Sequence, residues 1–159
     1  MSLLNKEPVR RVEQILKTFD PKQSLLVLEN SARTAKDAAS SLSCEVGAIV
    51  KSLLFKTGDT YTLCLVAGDK KVSLNKTKKI LNIKDVSMAS DENVKDITGF
   101  TIGGVSPIGH LNDLSVIIDN SLERFENLYA AAGHPNCVFK INYINLQKIT
   151  NGMIKDIVE

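Results

Sequence analysis

Apolar residues recur at spacings of three and four through Val9, Val12, Ile15, Leu16 and Phe19, which predicts an amphipathic helix opening at Pro8 and stopped by Asp20-Pro21. The short aliphatic run at 25–28, lying between Pro21 and the polar stretch 29–34, reads as a buried strand. Thr34, with Asp37 three positions on, predicts a capped second helix whose contact residues Ala35, Ala38, Ala39 and Leu42 are small enough to lie close on a sheet. The strongest strand pattern follows: 49–56 and 61–67 flank the turn residues Gly58-Asp59 and form a hairpin. Beyond it the pattern predicts a lysine-rich helix over 72–81, a short strand at 86–88 and a short helix over 91–96 started by Ser90. A glycine-dense segment, 99–109, precedes a buried strand at 114–118, two short strands at 127–131 and 137–143, and a closing helix from about Asn145. Helices and strands alternate irregularly and include a hairpin, so the fold class is α+β with a mixed, largely antiparallel sheet.

The 159 residues, 43% of them hydrophobic, suit one domain over 1–159 with a core that needs no metal or disulfide. Charge nearly cancels, 20 basic against 18 acidic residues for a net +2, so no whole-molecule field argues for a nucleic acid or an anionic membrane, and any charge argument is local. Cys44, Cys64 and Cys137 are far apart and odd in number, which disfavours a disulfide framework or a cysteine-ligated metal and points to a reducing compartment. Residues 1–11 are polar with mixed charges and lack the apolar stretch of a signal peptide, and no apolar run is long enough to span a bilayer. The expectation is a cytoplasmic protein with no membrane partner.

Lys51 stands out because strand alternation puts it on the same face as Ile49, Leu53 and Phe55. Either it lies inward, where an ammonium must find carbonyl or anionic partners or lose its proton, or it snorkels to solvent from the start of the strand. The run Gly103-Gly104-Val105-Ser106-Pro107-Ile108-Gly109 lacks the spacing of a dinucleotide or phosphate loop, and reads either as a tight turn or as a backbone surface for a substrate's polar groups. His110 and His134 have no metal-ligating neighbours at suitable spacing; His134, between Gly133 and Pro135, reads as a loop histidine able to act near neutral pH or as a solvated one. No Gly-x-Ser-x-Gly elbow accompanies the serines, so a hydrolase triad is not indicated. Lys70, Lys71, Lys76, Lys78 and Lys79 form a basic cluster that serves as a phosphate-contacting surface or as a plain solvated helix face.

Together these segments resemble the YbaK/ProX family of aminoacyl-tRNA editing domains. The resemblance rests on Ser31-Ala32-Arg33-Thr34-Ala35, on Ile49-Val50-Lys51-Ser52-Leu53-Leu54-Phe55-Lys56, on Val66-Ala67-Gly68-Asp69, on Thr98-Gly99-Phe100 leading into the glycine loop and His110, and on Ile118-Asp119 and Ala132-Gly133-His134. It implies a partly barrel-like sheet surrounded by helices, and a free-standing hydrolase needing no metal or organic cofactor. The implied substrate is aminoacyl-tRNA, most often tRNA for proline carrying alanine, cysteine or another small residue, with prolyl-tRNA synthetase as a further possible partner. Carried onto this chain, Lys51 matches the essential lysine that holds the aminoacyl-tRNA end, and Gly103 with Gly104, Val105, Ser106 and Pro107 matches the loop that positions the ester and terminal ribose. Thr34 stands where cysteine-removing relatives carry an aromatic, and His134-Pro135 resembles the alanine-removing branch, whereas loop 103–109 is closer to the cysteine-removing one. The rival reading is a noncatalytic module of the same fold that binds tRNA or a synthetase through its lysines.

Overall fold

A computed structural model describes residues 2–159. The first helix, α1 (Glu7–Phe19), carries Pro in its first turn and buries Val9, Val12 and Leu16, while Ile15 and Phe19 at the edge of the stripe stay exposed. The expected buried strand at 25–28 is instead a two-residue edge strand, β1 (Leu26–Val27), with Val27 53% exposed. An apolar run next to a proline cannot distinguish an edge strand from a central one, because only the sheet decides what covers it. Thr34 caps α2 (Ala35–Leu42) as its spacing predicts, its hydroxyl accepting from the Asp37 amide at 3.1 Å.

The hairpin forms as β2 (Ile49–Thr57) and β3 (Thr60–Ala67), with Gly58 at φ +66 supplying the left-handed turn position. Ser73 caps α3 (Leu74–Leu81), which begins two residues later than the pattern suggests, and Ser90 caps α4 (Asp91–Thr98). Between them lies β4 (Val86–Met88), and β5 (Ser115–Asp119) follows the glycine-dense segment. The two late strands, β6 (Leu128–His134) and β7 (Cys137–Ile141), make a second hairpin, so His134 is the last residue of a strand rather than a loop residue. The closing helix α5 (Tyr143–Thr150) is followed by β8 (Met153–Lys155), three residues too short to leave a period in the sequence.

The strands form one mixed sheet in the order β1-β7-β6-β2-β3-β5-β8, with β4 beside β2 off this path. Pairs β1–β7, β6–β7, β2–β3 and β2–β4 are antiparallel, and β2–β6, β3–β5 and β5–β8 are parallel. The end strands β1 and β8 do not pair with each other, so the sheet is not closed.

Helices cover both faces. On one face α1, α4 and α5 pack through Val9, Leu16, Val94 and Leu146 onto Val50, Leu54, Leu65 and Phe139 in the main core. On the other, α2 packs through Ala38 and Ala39 onto Ile49, and the segment around α3 packs through Val72, Ile80 and Leu81 against Phe55, Val66 and Leu53. Alternation along β2 therefore places Ile49 under α2 and Leu53 and Phe55 under α3, with Lys51 on the same face between the two helices. Among the described residues no helix is long and apolar enough to cross a membrane.

Candidate active site

The gap that exposes Lys51 is built by strand pairing. On the edge of β2 away from β3, β6 pairs with Ile49 and Val50 and β4 with Phe55 to Thr57, leaving 51–53 without a strand neighbour on that side. A cleft of about 390 Å³ opens there, of a size suited to a small ligand or the end of a larger one. Lys51, Ser52, Leu53 and Met88 form its floor and one rim, Thr34 and Ala38 come from the α2 side, Ala131 and His134 from β6, and Gly103 and Val105 from the glycine loop. Ser52, next along β2 and so directed to the opposite face from Lys51, has a buried hydroxyl with no hydrogen-bond partner among the described residues.

Lys51 is half-buried, and its ammonium donates to the Lys70 carbonyl. Burial pulls its pKa below the usual lysine value, and the negative charge of Asp69 opposes that shift. The lysine thus lies inward in a partly apolar cleft, held by a neutral carbonyl and within the field of a carboxylate.

The loop presents its backbone to the same space. Gly104 donates to the Thr101 carbonyl at 3.0 Å and closes a turn, whereas among the described residues the Gly103 and Val105 amides donate to no protein acceptor. Gly103 holds φ +92, a conformation that suits glycine. Gly104 and Pro107 are buried, and Ser106 is fully so; its hydroxyl accepts from the Ile108 amide at 3.3 Å and its carbonyl takes a 2.7 Å bond from His110 Nε2. These three hold the loop's shape behind the cleft and do not line it. Arg11 braces the far end: its Nε donates to the Gly109 carbonyl at 2.9 Å, and its guanidinium lies 4.9 Å from the centre of the Phe100 ring.

His134 Nδ1 accepts from the Asn136 amide at 3.0 Å, an arrangement of the neutral ring that leaves Nε2 carrying the proton. Desolvation lowers its pKa, with further lowering from the positive charges of Lys6 and Arg33. At neutral pH it is an uncharged donor at the cleft wall. Arg33 itself lines the cleft beside Gly103, and among the described residues no carboxylate lies within 4.0 Å of Arg33 or Lys6.

The structure brings together Lys51, Thr34, Gly103, Val105 and His134, and leaves the side chains of the lysine cluster out of the cleft lining. Lys70 is joined to the cleft through its carbonyl. Lys76 is already engaged by Asp156, with both oxygens at 3.1 Å, and by the Val158 carbonyl at 2.7 Å, whereas Lys71 and Lys79 are exposed and Lys78 is half-buried. Met88, Ala131 and the open β2 edge are not legible in the sequence as site components, since their place depends on pairing between distant strands. Arg33 adjoins Thr34 in the sequence but carries no local pattern that separates it from other surface arginines.

A chain with this fold and cleft has clear relatives. It is 35% identical over 114 residues to the uncharacterized protein YwhH of Bacillus subtilis, covering 71% of this chain and 72% of that protein. It is also 31% identical over 140 residues to a proline–tRNA ligase of Caldicellulosiruptor bescii, where 88% of this chain corresponds to 23% of the ligase, so the chain spans under a quarter of that relative. The crystal structure of a candidate trans-editing enzyme for prolyl tRNA synthetase superposes with a TM-score of 0.91 at 34% identity, over 97% of this chain and 98% of that one. Residues 29–149, which contain Lys51, the glycine loop and His134, match the family described as the aminoacyl-tRNA editing domain, and the chain belongs to that family, the YbaK/ProX group that its motifs resemble.

Proposed function

We propose that the protein is a free-standing trans-editing hydrolase that deacylates mischarged tRNA for proline carrying a small non-cognate amino acid such as alanine or cysteine. The observation that carries this reading is the meeting, in one cleft, of an inward ammonium at Lys51 and an unclaimed amide at Gly103. The reaction is attack of water on the ester carbonyl, with release of the free amino acid and the ribose hydroxyl of the tRNA terminus. Lys51 anchors the acylated terminus, and the Gly103 and Val105 amides face the oxygen on which charge develops. Thr34 and Ala131 at the wall limit the room for an amino-acid side chain, and the His134 Nε2 proton offers a bond to the ribose or the amino group. Water activation rests with the substrate's own ribose hydroxyl or with an ordered solvent molecule, and Lys51 acts as an anchor rather than a base.

The test is a deacylation panel on tRNA for proline charged with alanine, cysteine, serine, threonine and 2-aminobutyrate, with cognate proline as control. Hydrolysis of one or more small residues with proline spared is expected. No hydrolysis across the panel, together with retained tRNA binding, would favour the noncatalytic module.

The RNA contacts the lysine cluster, Lys70, Lys71, Lys78 and Lys79, together with Arg33 in the cleft lining and Lys6, whose charge bears on His134, and the share of Lys76 is reduced by its bonds to Asp156 and Val158. Prolyl-tRNA synthetase, the source of the mischarged product, is the expected protein partner. Reversing Lys71, Lys78 and Lys79 to Glu is expected to weaken tRNA binding and to lower the slope of log affinity against log salt by roughly 0.7–0.9 for each phosphate no longer neutralised. Unchanged affinity and slope in that variant, with a loss on reversing Lys6 and Arg33, would place the RNA on Lys6 and Arg33 and not on the lysine cluster.

A further inference from the structure

The carboxylate closest in influence to Lys51 is itself held elsewhere. Asp69 follows β3 in the turn that supplies the Lys70 carbonyl, and Arg124 grips both of its oxygens, at 3.0 and 2.7 Å. Arg124 is fixed in turn: its Nε donates to the Ser121 carbonyl at 2.7 Å, and its guanidinium sits 4.9 Å from the centre of the Phe125 ring. The pair is open to solvent, with side chains 40% and 38% exposed, and is backed on one side only, where a Cβ on Gly47 would meet Phe125 at 2.6 Å and the Asp69 carboxyl carbon at 3.0 Å. A two-pronged guanidinium–carboxylate pair is directional and holds the carboxylate in one orientation.

A free carboxylate near a half-buried ammonium would pair with it, and a paired ammonium is less available to an incoming ester or ribose. Lys51 has no carboxylate within 4.0 Å among the described residues and rests on the neutral Lys70 carbonyl instead. We infer that Arg124 is a positioning residue: by holding Asp69 it keeps that carboxylate from capturing Lys51, and it fixes the turn whose carbonyl orients the amine. Resting on the proposed deacylation, this assigns a role to two residues outside the cleft lining. The charged groups bearing on the arrangement are Asp69 and Lys70 on the turn, Arg124 on its own segment, and Glu45 and Asp119, whose charges also act on Arg124.

Four variants, R124Q, R124K, D69N and the double variant D69N/R124Q, are compared with the wild type in two measurements. The first is titration of the Lys51 amine by NMR of its ε-carbon. Its midpoint is expected to rise in R124Q, where Asp69 is released to pair with it, and to fall in D69N and the double variant, where the negative charge is gone. The second is kcat/KM on alanyl-tRNA for proline, expected to drop about tenfold in R124Q and to recover to within about threefold of D69N in the double variant. R124K, which keeps charge without the two-pronged grip, is expected to lie between R124Q and wild type.

An unshifted Lys51 midpoint in R124Q would overturn the inference. So would a double variant as impaired as R124Q, because a simple tether for the turn is lost equally in both. An inactive wild type would bring down the hydrolytic reading, while the titration would still decide whether Arg124 withholds Asp69 from Lys51. Thermal unfolding of each variant separates loss of the fold from loss of the arrangement, and D69N alone decides the sign of the Asp69 effect if R124Q does not fold.

Discussion

Replacing Lys51 with alanine is expected to abolish deacylation, with a loss of at least about 10²-fold in kcat/KM, while thermal unfolding changes little. The magnitude is that of removing one preorganised charged donor from a water-poor site. The structural side follows from where the residue stands: Ile49 is covered by α2 and Phe55 packs against the α3 segment, whereas Lys51 lies with the half-buried Leu53 at the open gap. The ammonium contributes one hydrogen bond to a carbonyl and is disfavoured by burial, which is why its pKa falls. For a lysine with a depressed folded-state pKa, the charged form carries a penalty below that pKa, and stability is gained as pH rises through the folded pKa toward the unfolded value. Removing the side chain therefore relieves that penalty as it deletes the bond, and the net change is expected within about 1 kcal/mol. Single-turnover deacylation alongside a melting curve checks both halves. Wild-type activity in the variant would take Lys51 out of the mechanism.

Gly104→Ala is expected to impair both activity and stability. A Cβ at this position would lie 2.9 Å from the His134 nitrogen and 3.0 Å from the Gly133 carbonyl carbon and the His134 Cα, all backbone atoms of β6. None of these can swing aside, so the loop or the end of β6 must move, at a cost of about 1–3 kcal/mol. Either movement separates the Gly103 amide from Lys51 and shifts His134, and a displacement of this kind is expected to lower kcat/KM by about 10²-fold. Gly103→Ala is a useful contrast. Its nearest neighbour is the flexible side chain of Arg33, with Cγ at 3.1 Å, so the cost is chiefly the positive φ, about 1–2 kcal/mol. Melting curves and deacylation rates for the two variants decide the matter; full activity in Gly104→Ala would show that the packing of the loop on β6 is not needed to form the site.

The elements legible in the sequence are those whose signals are local. Thr34, Ser73 and Ser90 each accept a bond from the amide three residues on, and the Gly58-Asp59 turn joins two strands whose register follows from its length. The glycine loop is recognisable as a feature, yet the division of labour within it is not. Gly103 and Val105 face the cleft while Gly104, Ser106 and Pro107 support them from behind, and that depends on β6 passing directly against Gly104. The aliphatic run at Leu26–Val27 reads as buried and is exposed for the same kind of reason, since its exposure follows from a position at the sheet edge.

Residue order was enough to reveal the helices, the first hairpin, the α+β class, the candidate lysine and the glycine loop, though not β8 or the exposure of β1, because caps, turns and periodic burial are properties of neighbouring residues. That Lys51 opens onto a cleft depends on the folded sheet, because the gap exists where β4 and β6, separated along the chain by the whole stretch from Met88 to Leu128, take opposite ends of one edge of β2. The fold also sets which charges are already engaged, as Lys76 is by Asp156 and Asp69 is by Arg124 across 55 positions. Such pairings are chosen by packing between distant segments, and no spacing along the chain records them.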